Sequence, residues 1–262
     1  MKNLFDLTGK VAVVTGGTKG LGLESAKGYA FYGADVAVID LPDADSTEIV
    51  SEIEKLGKKV KVYGCDVSNE DNVKETVESI IADFGKIDIL LNNAGIGVGL
   101  GDIFSLEREK WDKSISVNVT GYMLMCKYVA PHMRDAGYGK IVMMASADAF
   151  LGDKNPLRQR LSYQVGKGGV VAMVQALGCY LAQYGITVNG IAPGTIPTDQ
   201  SRPTLMANKD FVKMYETRSP QSRFGEQDEL VGTVIYLSSD ASSHTVGRVI
   251  IVDGGLQLAI SD

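Results

Sequence analysis

Tyr163 and Lys167 stand four positions apart in the run Ser162-Tyr-Gln-Val-Gly-Lys167, and their side chains are of types that can carry a proton transfer. On a helix, positions i and i+4 share one face. An ammonium held beside a phenol favours the phenolate, so Lys167 is expected to draw the Tyr163 pKa down from its ordinary value of about 10. A phenol tuned in this way gives a proton to an alcohol oxygen or takes one from it. A surface pair on a helix has the same spacing, so the pair gains meaning only from the chain around it.

The elements that must position it are legible as short apolar runs alternating with amphipathic segments. The strand candidates are Val11–Val14, Asp35–Ile39, Val60–Tyr63, Ile87–Leu91, Lys140–Met144, Ile186–Ile191 and Arg248–Val252. Several are almost continuously apolar, as parallel strands covered on both faces are. Helical segments lie between them, among them Asn69–Phe84 and Trp111–Arg134, where Trp111, Ile115, Val119, Tyr122, Cys126, Val129 and Met133 keep a spacing of three to four. About seven such alternations predict an α/β, doubly wound (Rossmann) parallel sheet of seven strands flanked by helices. Without a repeat or a linker, residues 1–262 read as one domain. The stretch 198–223, with Pro203, Pro220 and mixed charges, has no clear period. It reads as a lid over a site or as a surface excursion.

Directly after the first run comes Thr15-Gly-Gly-Thr-Lys-Gly-Leu-Gly22, with a helix expected from about Leu21. Glycines at such a turn let the backbone approach a pyrophosphate, and the helix N-terminus offers unpaired N–H groups to it. The spacing Gly16-x-x-x-Gly20-x-Gly22 departs from the common Gly-x-Gly-x-x-Gly, and a glycine turn without a ligand would read alike.

Composition narrows the partners. The net charge of -6 comes without a basic block, which argues against nucleic acid and anionic membrane. Hydrophobic residues, 45% of the chain, suffice for a large core, and no run of 18 or more apolar residues suggests a membrane span. Cys65, Cys126 and Cys179 are odd in number and widely spaced, which suggests neither a disulfide framework nor a zinc site. His132 and His244 are isolated, so no metal is expected. The start, Met1 to Asp6, lacks the apolar stretch of a signal peptide, and a cytoplasmic location is expected.

Thr-Gly-x-x-x-Gly-x-Gly at the amino end together with Tyr-x-x-x-Lys near the middle resembles the short-chain dehydrogenase/reductase family. Leu91-Asn-Asn-Ala-Gly95, Asn118 in Ser116-Val-Asn-Val-Thr120, Ser146 after Ile141-Val-Met-Met-Ala145, Pro193-Gly-Thr-Ile-Pro-Thr198 and Val252-Asp-Gly-Gly255 extend the resemblance over essentially the whole chain. It implies hydride transfer between a nicotinamide dinucleotide and a small secondary alcohol or ketone. Tyr163 is then the general base or acid, Lys167 lowers its pKa and holds the nicotinamide ribose, and Ser146 positions the reacting oxygen. Asn118 supports a water between Lys167 and solvent. The cofactor is expected against Gly16, Thr18, Lys19, Gly20, Leu21, Gly22, Asp40, Asp66, Val67, Asn92, Ala94, Gly95, Pro193, Gly194, Ile196 and Thr198, besides Tyr163 and Lys167. Asp66 alone would also read as a turn or N-cap aspartate.

Asp40 ends the second strand, where a carboxylate accepts hydrogen bonds from ribose hydroxyls and repels a 2′-phosphate. NAD is therefore expected over NADP, with Lys19 pulling the other way and Leu41 standing where NADP-using relatives place another cation. The gap from Ser146 to Tyr163 is longer than the family usually shows, so Ser162 competes with Ser146. Ser162 adjoins Tyr163 and would point about 100° away from it on a helix, which favours Ser146. Within that gap Lys154, Arg158 and Arg160 could hold an anionic substrate, or face water. The helix after Tyr163 carries Gly166, Gly168 and Gly169, each costing about 1 kcal/mol relative to alanine. Close packing or the family's usual dimer or tetramer contact would compensate.

A polyol, sugar or sugar acid is the expected substrate, because the pattern resembles bacterial sugar-acid dehydrogenases. A hydroxysteroid or other cyclic alcohol, an NADPH-dependent carbonyl or 3-oxoacyl reduction, and a non-catalytic dinucleotide-binding role are the alternatives.

Overall fold

A strand covered by helices on both faces keeps every side chain from water, and the apolar runs become strands of this kind. The computed structural model describes residues 2–98, 103–152, 160–199 and 201–259. The strands are β1 (Val11–Thr15), β2 (Asp35–Asp40), β3 (Val60–Gly64), β4 (Ile89–Asn92), β5 (Gly139–Met144), β6 (Ile186–Pro193) and β7 (Val249–Val252). They pair in parallel in the order β3-β2-β1-β4-β5-β6-β7. Every residue of β1, β4, β5 and β6 is buried. These are the seven runs read from sequence, with ends displaced by two residues at most.

The helices are α1 (Gly20–Phe31), α2 (Thr47–Lys55), α3 (Glu70–Phe84), α4 (Arg108–Ile115), α5 (Gly121–Ala136), α6 (Leu161–Leu181), α7 (Arg202–Ala207), α8 (Lys209–Arg218) and α9 (Val231–Ser238). On one face of the sheet, Tyr29 of α1, Ile53 of α2 and Val234 of α9 pack with Val14, Val38 and Leu91. On the other, Val77 of α3, Val129 of α5 and Val174 of α6 pack with Val13, Ile39 and Leu90. The alternation of crossovers between the two faces makes the sheet doubly wound. By length and composition, Leu161–Tyr184 could cross a membrane. Here that segment lies along the sheet, with Val170 and Val174 buried against Val188 and Ala192.

Two segments differ from expectation. Trp111–Arg134 is helical throughout, as expected, but with a wider turn inside it. α4 ends at Ile115, a π turn spans Ser116–Thr120, and the Gly121 N–H reaches back to the Ser116 carbonyl. One extra residue in one turn barely disturbs the apolar spacing, so the sequence shows no break. The stretch 198–223, expected without regular structure, contains α7 and α8. Helices this short do not hold themselves. Asn208 caps α8 by accepting from the Phe211 N–H at 3.0 Å. Tyr215 stacks on Phe224 with ring centroids 4.3 Å apart, which pins α8 against the chain beyond it.

Candidate active site

The strand order reverses between β1 and β4, and doubly wound sheets open a crevice beyond the strand ends at such a point. Thr15 and Asn93 build it. Thr15 Oγ1 accepts the N–H groups of Asn93 at 2.9 Å and Ala94 at 3.0 Å. Asn93 Nδ2 donates to the carbonyls of Thr15 and Gly16, both at 3.0 Å. A cleft of about 420 Å3 results. Gly16, Lys19, Gly20, Leu21, Asp40, Asp66, Val67, Ala94, Gly95 and Thr198 all line it.

The glycine turn is shaped for this crevice. Gly16 has φ +64°, in the left-handed region, and a Cβ on Gly22 would overlap the Gly16 carbonyl oxygen. Gly22 therefore serves the packing of α1 against the turn, and no side chain obstructs the approach of a ligand there. Asp40 is held from behind. Its Oδ2 accepts from Thr18 N at 3.1 Å and Thr18 Oγ1 at 2.6 Å, while Oδ1 accepts from Leu41 N at 2.9 Å. Thr18 orients the carboxylate and is not itself in the cleft wall. Asp66 is both things expected of it, a wall residue and a turn aspartate accepting from Ser68 N at 2.9 Å and Ser68 Oγ at 2.6 Å.

Asn92 is a correction. Its side chain is fully buried in the core, with Nδ2 3.4 Å from the Tyr122 carbonyl and from Cys126 Sγ. Asn93 takes the place at the cleft. Alternation along β4 decides which of two adjacent asparagines faces the ligand side, and the pair of letters alone does not set that phase.

A second cleft of about 690 Å3 adjoins the first and shares Leu21, Asn93, Gly95, Ile96 and Thr198 with it. It brings together Ser146, Tyr163, Lys167, Asp148 and Arg160 with Pro193, Gly194 and Ile196. Thr204, Leu205 and Phe211 contribute a wall from the α7–α8 segment. Ser146 hydrogen-bonds Tyr163 through its side chain and accepts from Asp148 N at 3.1 Å. Ser162 faces elsewhere, donating to the Val98 carbonyl at 3.1 Å, so Ser146 is the serine that meets Tyr163. Arg160 Nη1 lies 4.0 Å from Asp148 Oδ2. Arg158 and Lys154 lie outside the described residues.

Asn118 sits on the π turn, fully buried. Its Oδ1 accepts from Ile96 N at 3.1 Å, and its Nδ2 donates to the Ile96 carbonyl at 2.9 Å and to Ser114 Oγ at 3.2 Å. The amide is thus occupied in clamping the backbone after β4, and its side chain makes no bond to Lys167. Gly166 of α6 allows that turn to come close, since a Cβ there would lie 3.2 Å from Asn118 Cβ.

The electrostatics differ from the expectation. Burial pushes the Tyr163 phenol up from its ordinary pKa, with Asp148 adding to the rise, while the Ser146 hydrogen bond and Arg160 pull it down. Burial also drives Lys167 down, from 10.5 to about 7. Its Nζ donates to the Met144 carbonyl at 2.7 Å and to Tyr122 Oη at 3.1 Å, and stands 5.8 Å from the Tyr163 ring centroid.

A dinucleotide crevice that runs into a cluster of buried Ser146, half-buried Tyr163 and buried Lys167 defines a nicotinamide-dependent oxidoreductase. A family model described as Enoyl-(Acyl carrier protein) reductase matches residues 16–257. The gluconate 5-dehydrogenase of Gluconobacter oxydans is 36% identical over 98% of this chain and 98% of that protein. The 2-dehydro-3-deoxy-D-gluconate 5-dehydrogenase of Formosa agariphila is 34% identical over 98% of this chain and 96% of that protein. The crystal structure of a gluconate 5-dehydrogenase from Burkholderia cenocepacia, in complex with NADP and tartrate, superposes with a TM-score of 0.92 at 31% identity, covering 98% of this chain and 99% of that one. The chain belongs to the short-chain dehydrogenase/reductase family. It is an oxidoreductase acting on CH–OH groups with a nicotinamide dinucleotide.

Proposed function

We propose that this protein oxidises a hydroxyl of a small sugar acid, or reduces the matching keto acid, with NAD as its cofactor. Arg160 carries the acid part of the reading. It is a cation in the wall of the cleft that holds Ser146 and Tyr163, and a guanidinium suits a substrate carboxylate through two parallel hydrogen bonds. The names of the relatives point to the same substrate class. Asp40 carries the cofactor part, because Thr18 fixes its carboxylate at the cleft where a 2′-phosphate would meet like charge. Lys19 in the same wall is the cation that NADP would use, and it stands without a second one at Leu41.

The proposed roles follow the placement. The glycine turn and α1 hold the pyrophosphate, Asp40 the adenosine ribose, and Ile196 and Thr198 the nicotinamide amide. When bound, the nicotinamide supplies the hydride acceptor or donor. Ser146 positions the alcohol oxygen beside Tyr163, and Tyr163 takes its proton on oxidation and returns one on reduction. Lys167 binds the nicotinamide ribose and, when protonated, lowers the barrier to phenolate formation. The α7–α8 segment covers the substrate and excludes water. We further propose a homodimer or homotetramer formed through the outer faces of α5 and α6. Met123, Val165 and Tyr180 are exposed there, and a Cβ on Gly168 would meet nothing within 4 Å among the described residues.

A rate screen with NAD and NADP over gluconate-type acids, the neutral polyols of the same length and hydroxysteroids tests the proposal. NAD with an acid should be fastest, and Arg160→Ala should raise KM for the acid while sparing the affinity for NAD. Equal rates on an acid and its neutral polyol, with no response to Arg160→Ala, would remove the acid from the reading.

A further inference from the structure

We propose that Tyr122 is a positioning residue for Lys167, its hydroxyl accepting from the lysine Nζ and holding that group in its protonated form at the floor of the substrate cleft. The inference rests on reading Tyr163 and Lys167 as the proton-handling pair. Tyr122 lies in the first turn of α5, 1% exposed, in the core beneath the cleft. A buried hydroxyl is costly unless paired, and this one has two partners. It donates to the Met144 carbonyl at 3.1 Å and accepts from Lys167 Nζ at 3.1 Å. The carbonyl already receives Lys167 at 2.7 Å, so the backbone needs no phenol there. A phenylalanine would fill the same space, and what the oxygen adds is a contact to the lysine.

That contact matters because Lys167 sits where an ammonium is hard to keep. It is 3% exposed, and burial is what moves its titration down to about 7. The titratable groups around it are Tyr122 from α5 and Tyr163 from α6 itself. Asp148 and Arg160, at the two ends of the connection into α6, act on Tyr163. Among the described residues no carboxylate pairs with the lysine. Support for the charge therefore comes from the Met144 carbonyl, the Tyr122 oxygen and the rings of Tyr122 and Tyr163, whose centroids lie 4.9 Å and 5.8 Å from Nζ. Two of the three ammonium donors are used on the core side, and the remaining one is left for the cleft that Lys167 lines. The Tyr122 carbonyl is in turn met by Asn92 Nδ2 at 3.4 Å, which gives that core asparagine a place in holding the site.

The test compares the full-length protein with Tyr122→Phe in two readings. First, the Lys167 titration is followed without cofactor by NMR of 13C-labelled lysine, the signal being assigned by its loss in Lys167→Arg. Second, the pH profile of kcat/KM is measured for NAD-linked oxidation of a gluconate-type acid. Losing an acceptor for the charged form should lower the Lys167 titration by about half a pH unit or more. With less charge beside Tyr163, the acid limb of the oxidation profile should move up by a similar amount, with KM for NAD nearly unchanged. An unmoved Lys167 titration in a folded Tyr122→Phe protein would overturn the inference. A shifted titration with an unmoved rate profile would uphold the positioning of Lys167 and count against the Tyr163–Lys167 pair. If Tyr122→Phe does not fold, the variant is made in a Lys167→Met background. Folding there supports a hydroxyl that serves the lysine, and failure there too assigns the hydroxyl to the core and overturns the proposal.

Discussion

Replacing Lys167 by methionine should make the cofactor-free protein more stable near neutral pH. Burial lowers the lysine from 10.5 to about 7, so at about 1.36 kcal/mol per pH unit the charged form is disfavoured by roughly 5 kcal/mol. Methionine has similar length and no charge to desolvate. It gives up the hydrogen bonds to Met144 O and Tyr122 Oη, each worth about 1 kcal/mol net. The Met144 carbonyl keeps the Tyr122 O–H, so no buried carbonyl is stranded. A gain of about 2–3 kcal/mol at pH 7 remains, which would be large against the usual effect of a point change. The pH dependence identifies the cause. The unfolded lysine keeps its proton to about 10.5 and the folded one releases it near 7. Between those values the unfolded state binds more protons, so the unaltered protein gains stability with rising pH by up to about 1.4 kcal/mol per unit. Below about 7 both states are protonated and the full cost is present. The advantage of Lys167→Met should therefore be largest at pH 6–7 and fade towards pH 10. Urea unfolding at fixed protein concentration, followed by the fluorescence of Trp111, the chain's single tryptophan, reads this difference. A stability difference that does not change with pH would refute the reasoning.

Three further outcomes follow from the site. Tyr163→Phe should reduce turnover by at least ~100-fold, the lower range for losing a general acid–base group, while calorimetry shows NAD bound as before. Asp40→Ala should weaken NAD and improve NADP relative to it, read as the ratio of kcat/KM for the two cofactors; an unaltered protein that already prefers NADP would show that Lys19 outweighs Asp40. Gly22→Ala should lower Tm and weaken NAD together, because its Cβ would collide with the Gly16 carbonyl and open the turn.

The sequence by itself determined what depends on local pattern. The seven strands, the glycine turn after β1, Asp40 at the end of β2 and the placing of Tyr163 and Lys167 on one helix all follow from side-chain periodicity and chain order. The choice of Ser146 over Ser162 was also legible, since adjacent helical residues diverge in direction. Tertiary structure alone decided the phase of Asn92 and Asn93, the π turn at Asn118 and the helices in 198–223, because distant partners such as Ile96 and Phe224 fix them. It also sets the burial that pushes the Tyr163 phenol up. A pKa is set by desolvation and by distances between elements, and no spacing along the chain announces that Tyr122 and the Met144 carbonyl will converge on a buried Lys167.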